Sequence, residues 1–396
     1  MPVVANRLAA WLACVASLAG GMLVGAAGQA SAQGAFYRAT AAEIAGGPPG
    51  SLIREELRFG APAGATAHKV LYRSTDPDGK PIAVSGIVIV PAGSPPQGGW
   101  PIVAWAHPTS GIVPRCAPSL AIFLFQQIAG SRELLQRGYA IAATDYPGLG
   151  TPGPHPYLVG DSEARAVIDS VRVARSFPGL ENSSRFAVGG HSQGGQAALF
   201  TGMIAKSYAA ELQLVGVAAA APATDLATLM TEDLDTTGGR NLTAMTLWSW
   251  AKVYGAPIDS VVAPAAMPTV DRLAERCIEG PLDIFIREKI SGPLAQKFLT
   301  VGNPATIEPW QSLLERNSAR ELPPQLPVFL AQGTSDGLVK PAVTEAYMRR
   351  LCRAGSPVRL LLMPGVSHGF AGRDGASAAI DWIGERFAGR PAPNGC

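Results

Sequence analysis

Phe186-Ala187-Val188-Gly189-Gly190-His191-Ser192-Gln193-Gly194-Gly195-Gln196 is the stretch whose reading settles the fold class. Phe186–Val188 is a short apolar run of the kind found in strands covered on both faces. Gln196–Tyr208, rich in Ala, Leu, Phe, Met and Ile, reads as a helix. Between them lies the pattern G-x-S-x-G, in which glycines let the backbone pass closely and a serine sits on a tight strand-to-helix turn. The pattern alone is common. Set between a strand and a helix, it makes Ser192 a candidate nucleophile, and the helix N-terminus favours an adjacent anion.

The same alternation extends to both sides. Ile102–Ala106, Tyr139–Thr144, Leu214–Ala218, Val328–Ala331 and Val358–Met363 are further short apolar runs separated by helical patterns. Such runs imply an α/β fold with a mostly parallel central sheet flanked by helices. One covering helix is legible in detail: Asp161 or Ser162 is positioned to cap it, and Ala164, Val167, Ile168, Val171 and Ala174 recur at helical spacing. Arg165, Asp169 and Arg172 fall on the side expected to face solvent. Earlier, His68–Arg73 and Ile82–Val90 flank Asp76-Pro77-Asp78-Gly79, which reads as a hairpin. Between Pro222 and about Trp310 the alternation lapses into helix-like pieces broken by Gly and Pro, among them Thr243–Tyr254 and Leu273–Phe285. We read this as a helical insertion, because strand-helix alternation resumes at Val328. The expected organisation is a leader at 1–32, a core in two parts at 33–222 and 311–396, and a cap at 223–310.

A serine hydroxyl is a poor nucleophile at neutral pH and needs a base, an acid that orients the base, and donors for the oxyanion. Where a serine sits on such a turn, its partners follow in the order Ser, Asp or Glu, His. The chain has five histidines. His68, His107 and His155 precede Ser192, and the side chain of His191 is expected to point away from its neighbour's hydroxyl. His368, in the loop after Val358–Met363, is therefore the candidate base. Asp336, in Gly333-Thr334-Ser335-Asp336-Gly337 after Val328–Ala331, is the candidate acid; Asp225, Asp233 and Asp235 are rivals by order alone. The oxyanion donors expected are the Gln193 amide and one from His107-Pro108-Thr109-Ser110-Gly111. Pro108 has no N–H, so Thr109 comes first and Ser110 second.

Composition limits what else the chain can be. The 396 residues carry 32 basic and 30 acidic side chains, a net charge of +2, and no basic run that could follow a phosphate backbone, so nucleic acid is excluded as a partner. Arg7, the apolar run Leu8–Ala27 and Ala30-Ser31-Ala32 form the pattern of a secretory leader cut after Ala32, so a secreted, periplasmic or cell-surface protein is expected. Of five cysteines, Cys14 lies in that leader. Cys116, Cys277, Cys352 and Cys396 remain, with three pairings open. Cys116–Cys277 with Cys352–Cys396 is preferred, because the second bridge would staple the chain end to the domain and both close long loops. No Cys-x-x-Cys or His-x-x-x-His spacing occurs, and neither a metal nor a cofactor is expected. Asn182-Ser183-Ser184 and Asn241-Leu242-Thr243 fit glycosylation acceptors weakly.

Ala106–Gly111, Cys116-Ala117-Pro118-Ser119, Thr144–Gly150, His155-Pro156-Tyr157, Gly190–Gly195, Gly333–Asp336 and Ser367-His368-Gly369 together resemble the secretory lipases of the α/β-hydrolase superfamily, the fungal lipase-A type and its bacterial relatives. The likeness covers most of the chain from about Trp105 onward. It implies a triad of Ser192, Asp336 and His368, a helical cap within about Asp225–Trp310, hydrolysis of carboxylic esters, and the same two disulfides. Expected partners are small-molecule or lipid esters and transient contact with a lipid–water interface. Short-chain esterase, polyester hydrolase and acyltransferase are alternatives with the same triad; a non-catalytic binding protein is an alternative of a different class. Two features depart from the family: Pro108 stands where a glycine is expected, and the cap sequence shows little likeness. Neither acyl preference nor oligomeric state is legible. Asp145-Tyr146 and His155-Pro156-Tyr157 are conspicuous but suit a structural role in a turn-rich loop.

Overall fold

The computed structural model describes residues 34–396, so the leader expected at 1–32 lies outside the described residues. Nine strands form one sheet in the order β1-β2-β3-β5-β4-β6-β7-β8-β9. β1 (Leu52–Arg58), β2 (Ala65–Thr75) and β3 (Pro81–Pro91) are antiparallel, and β3 pairs antiparallel with β5 (Ala140–Thr144). β4 (Ile102–Ala106), β5, β6 (Arg185–His191), β7 (Gln213–Ala220), β8 (Val328–Gly333) and β9 (Val358–Met363) run parallel. The apolar runs read from the sequence are these strands. β1, half-exposed with charged residues Arg54, Glu55 and Glu56, carries no such run and was not expected.

Nine helices of seven residues or more are labelled here: α1 Gly160–Ala174, α2 Gln193–Tyr208, α3 Leu226–Asp233, α4 Thr237–Val253, α5 Met267–Ala274, α6 Pro281–Ser291, α7 Trp310–Arg316, α8 Pro341–Arg353 and α9 Ala376–Phe387. One face of the sheet packs through Ile102, Ala104, Phe186 and Leu330 against Ile168 and Phe200 of α1 and α2. The other packs through Val103, Ile141 and Phe329 against Ile380 and Trp382 of α9. Cover on both faces is why these strands are apolar at nearly every position.

Three local readings are corrected. The first residues of α1 take no side-chain cap: the N-cap is Val159, and Asp161 and Ser162 lie inside the first turn. Asp169 does not face solvent; it is fully buried, accepting from Ser74 Oγ at 2.7 Å, Tyr208 OH at 2.8 Å and Arg172 at 2.8 Å. Helix α1 is wedged between β2 and α2, so its polar stripe meets protein rather than water. Leu273–Phe285 is not one helix. It breaks after Ala274 and restarts at Pro281, where the fixed φ of proline suits a helix start, and Cys277 sits in the break.

Between β7 and β8, helices α3 to α7 build a hydrophobic cluster of their own around Met245, Trp250, Leu273, Phe298 and Trp310. Ile112, Tyr157, Leu158 and Val159 of the main body are buried in the same cluster, so the insertion is seated on two loops at the carboxyl edge of the sheet. The Cys116–Cys277 disulfide ties it there covalently, and Cys352–Cys396 holds the chain end to α8. Among the described residues no helix is long and apolar enough to cross a membrane.

Candidate active site

Ser192 stands between β6 and α2 with φ 58° and ψ −118°, a region that costs an ordinary residue strain and persists only where surroundings enforce it. Its N–H donates to Ala220 O at 2.9 Å. The two glycines of the motif are dictated by contact: a Cβ at Gly190 would lie 2.0 Å from Gly194 O, and one at Gly194 1.9 Å from Ala106 O. No larger residue lets the turn sit this close to β4.

The loop after β9 brings His368 to the serine, with Nε2 2.8 Å from Ser192 Oγ. His368 Nδ1 lies 2.8 Å from Asp336 Oδ2, on the loop after β8. Asp336 is buried, and Oδ1 accepts from the Leu338 and Val339 amides at 2.9 and 2.8 Å, while Gln332 Nε2 donates to Oδ2 at 3.1 Å. Burial alone would raise this carboxyl, but the hydrogen bonds from His368, Leu338 and Val339 outweigh it and hold it below its ordinary value. Since Asp336 accepts at Nδ1–H, His368 Nε2 is left free to accept from the serine hydroxyl.

His368 Nδ1 pairs with Asp336 and with none of its rivals. Asp225 caps α3, accepting from the Thr228 amide at 3.0 Å. Asp233, at the end of α3, lines the cavity beside Ser192 with Oδ1 unpartnered, and burial pushes its carboxyl up to about 6. His68 is on β2, with Nδ1 3.6 Å from Glu55. His191 does point away from Ser192, but it has a task the sequence did not announce: its Nε2 donates to His368 O at 2.9 Å, bracing the loop that carries the base. Burial lowers the His191 imidazole to about 3, so it stays neutral.

Gln193 opens α2, and Thr109 lies half-buried on the loop after β4. Among the described residues neither the Gln193 nor the Thr109 backbone N–H is bonded to a protein carbonyl; Gln193 lines the cavity at Ser192, and Thr109 does not. Ser110, the second candidate, is buried, and its carbonyl accepts from the Ile278 amide of the insertion at 2.8 Å. A cavity of about 60 Å³ opens at Ser192 and Gln193, walled by Leu229, Met230, Leu314 and Val339. Asn241 is buried in α4 with its Nδ2 donating to Thr237 O at 2.9 Å, so its amide is inaccessible as a glycosylation acceptor.

Three side chains lie behind the oxyanion candidates: Glu163, which nothing in the sequence singled out, and His155 and Tyr157, which the sequence suggested only for a structural role in a turn-rich loop. Glu163, His155 and Tyr157 are buried in the loop and first turn that lead into α1. Burial raises the Glu163 carboxyl to about 8 and lowers the His155 imidazole to about 3. The spacing of residues in sequence carried no sign that they would meet Gln193 and Thr109.

Several known proteins are similar. Lipase 10 of Candida albicans is 26% identical over 359 residues, 83% of this chain and 74% of that protein. A protein from Mycobacterium tuberculosis described as a probable inactive lipase is 32% identical over 196 residues, 45% of this chain and 43% of its own length. Candida antarctica lipase A in its closed state superposes with a TM-score of 0.75 at 19% identity, covering 91% of this chain and 86% of that one, and so shares the fold. The secretory lipase family model matches residues 127–395, which takes in Ser192, Asp336 and His368, and the chain belongs to that family.

Proposed function

We propose that the protein is an exported carboxylic ester hydrolase working through an acyl-enzyme. The observation that carries this is the unbroken hydrogen-bonded series Ser192–His368–Asp336, at 2.8 Å for each link. Ser192 Oγ attacks the ester carbonyl as His368 Nε2 takes its proton, and Asp336 stabilises the imidazolium. The Gln193 and Thr109 amides donate to the oxyanion, and the N-terminus of α2 adds its dipole. His368 then returns the proton to the departing alcohol, and water, activated by the same imidazole, releases the acid.

The cavity favours short or slender acyl groups in the conformation described. At about 60 Å³ it is well below the roughly 150 Å³ that holds a benzene-sized guest, so a long chain needs α3 and α4 to shift. Exposed Leu282, Ile284 and Phe285 on α6 offer an apolar face for transient contact with a lipid–water interface. A triacylglycerol lipase shows a rise in rate on emulsified substrate; a short-chain esterase loses activity steeply as the acyl chain of p-nitrophenyl esters lengthens. Export predicts a mature N-terminus at Gln33.

Labelling by a fluorophosphonate probe tests the serine. Labelling of the wild type that vanishes in Ser192→Ala supports the mechanism. Folded wild type that neither labels nor hydrolyses esters would establish the non-catalytic reading instead. Product analysis with a competing alcohol separates hydrolysis from acyl transfer.

A further inference from the structure

The segment from His155 to Glu163 touches both residues to which the reading above assigns the oxyanion. His155 Nδ1 lies 2.9 Å from Pro147 O, an acceptor only, so the ring proton sits on Nδ1 and Nε2 is left as an acceptor. Gln193 Nε2 is 2.8 Å from that nitrogen and 2.7 Å from Glu163 Oε1, so its two hydrogens are both used and its amide orientation is determined. Glu163 Oε1 also accepts from the Leu158 amide at 3.0 Å, closing a loop between α1, Leu158 at its positive φ of 57°, and the first residue of α2. Two residues after His155, the Tyr157 hydroxyl lies 3.0 Å from Thr109 Oγ1. His155 and Glu163 are fully buried and Tyr157 nearly so.

From the other side the inserted helix α4 grips the same segment. Ser249 Oγ donates to His155 O at 2.7 Å and accepts from the Tyr157 amide at 3.1 Å, and Trp250 Nε1 donates to Tyr157 O at 2.8 Å. A residue that merely filled a turn would need none of these bonds to the two oxyanion loops.

We propose that His155–Glu163 is the clamp of the oxyanion hole: Glu163 and His155 position Gln193, Tyr157 positions Thr109, and α4 sets where the clamp stands. The inference rests on the reading of Gln193 and Thr109 as donors. These side chains do not touch substrate; they are positioning residues. Holding both donors from one rigid piece keeps them a constant distance apart, which matters because a displacement of about 1 Å can cost on the order of 100-fold in rate.

Tyr157→Phe removes one hydroxyl, and Glu163→Leu removes the oxygen that accepts from Gln193 Nε2 and the Leu158 amide. Each is measured for kcat and KM on p-nitrophenyl butyrate per fluorophosphonate-titrated site, and for Ki of a trifluoromethyl ketone, whose adduct carries the oxyanion. The clamp predicts a fall in kcat of about 10- to 100-fold, a matching rise in Ki, and KM within about twofold of wild type. Unchanged kcat per site and unchanged Ki, with only a lower Tm, would overturn it. Thr109→Val breaks the Tyr157 bond from a half-buried position, so it serves if either first variant misfolds. A Tyr157→Phe/Thr109→Val pair no worse than the poorer single supports the clamp, and fully additive losses sink it. Wild type that hydrolyses esters without labelling at Ser192 overturns the underlying serine reading, and the clamp falls with it.

Discussion

Two regions meet at Ser192 and are built on different terms. Ser192, Asp336 and His368 sit on short loops at the carboxyl ends of β6, β8 and β9, three strands held in parallel register by the sheet. The helices from Leu226 to Arg316 have no sheet to order them and rely on their own apolar cluster, one disulfide and hydrogen bonds to the loops beneath. On the proposed mechanism the first region places atoms for chemistry, and the second shapes the space around them. Damage to the sheet-borne part should therefore lower rate without changing substrate preference, damage to the cavity wall that the insertion supplies should do the reverse, and loosening the insertion from the loops beneath should also lower rate.

The largest expected effect tests the first half of that contrast. Ser192→Ala should lower kcat on the order of 10⁶-fold, and adding His368→Ala should cost almost nothing more, because the pair acts as a unit. Asp336→Asn should lower it about 10⁴-fold, by leaving the imidazole in the wrong tautomer, with the ranking of p-nitrophenyl esters by chain length unchanged. A changed ranking would mean that the two regions are not separable in this way.

Next comes the cavity wall. Leu314→Ala should raise kcat/KM for octanoate relative to butyrate esters about tenfold, the scale of a methylene or two in an apolar pocket. An unaltered ratio would place the acyl chain elsewhere.

The two disulfides sharpen the comparison further. Cys116–Cys277 spans 161 residues and Cys352–Cys396 spans 44, so in the chain-entropy model the first stabilises by about 1 kcal/mol more. Replacing both cysteines of a bridge by serine, followed by denaturant unfolding, checks this. The Cys116/Cys277 variant should also lose activity before it unfolds, because that bridge holds the insertion to the loop after β4; the Cys352/Cys396 variant should not.

The smallest effect concerns Glu163. Its carboxyl is raised by burial to about 8 in the folded chain, against about 4.5 when exposed, so between those values the native state binds the extra proton. Stability from this group is complete below about pH 4.5 and is lost as pH climbs to about 8. Glu163→Gln cannot titrate, so its Tm relative to wild type should rise between pH 5 and pH 8. A difference that stays constant with pH would show that the Glu163 carboxyl is ionised in the fold throughout that range.

Sequence by itself determined the part of this protein that local rules govern. Apolar runs such as Ile102–Ala106 and Val328–Ala331 are strands because burial on both faces allows no alternation, and the turn glycines flank Ser192 because a Cβ there would strike backbone. His368 was reachable by eliminating four other histidines, and Asp336 by its place after a strand. Tertiary structure alone decided the rest. Asp169 at a solvent-side spacing is buried because β2 and α2 close over it. Glu163, His155 and Tyr157 reach Gln193 and Thr109 across 30 to 48 positions of chain. Periodicity reports which face of an element is buried, whereas a polar partner is chosen by whichever donor the packing leaves opposite, and no local pattern encodes that.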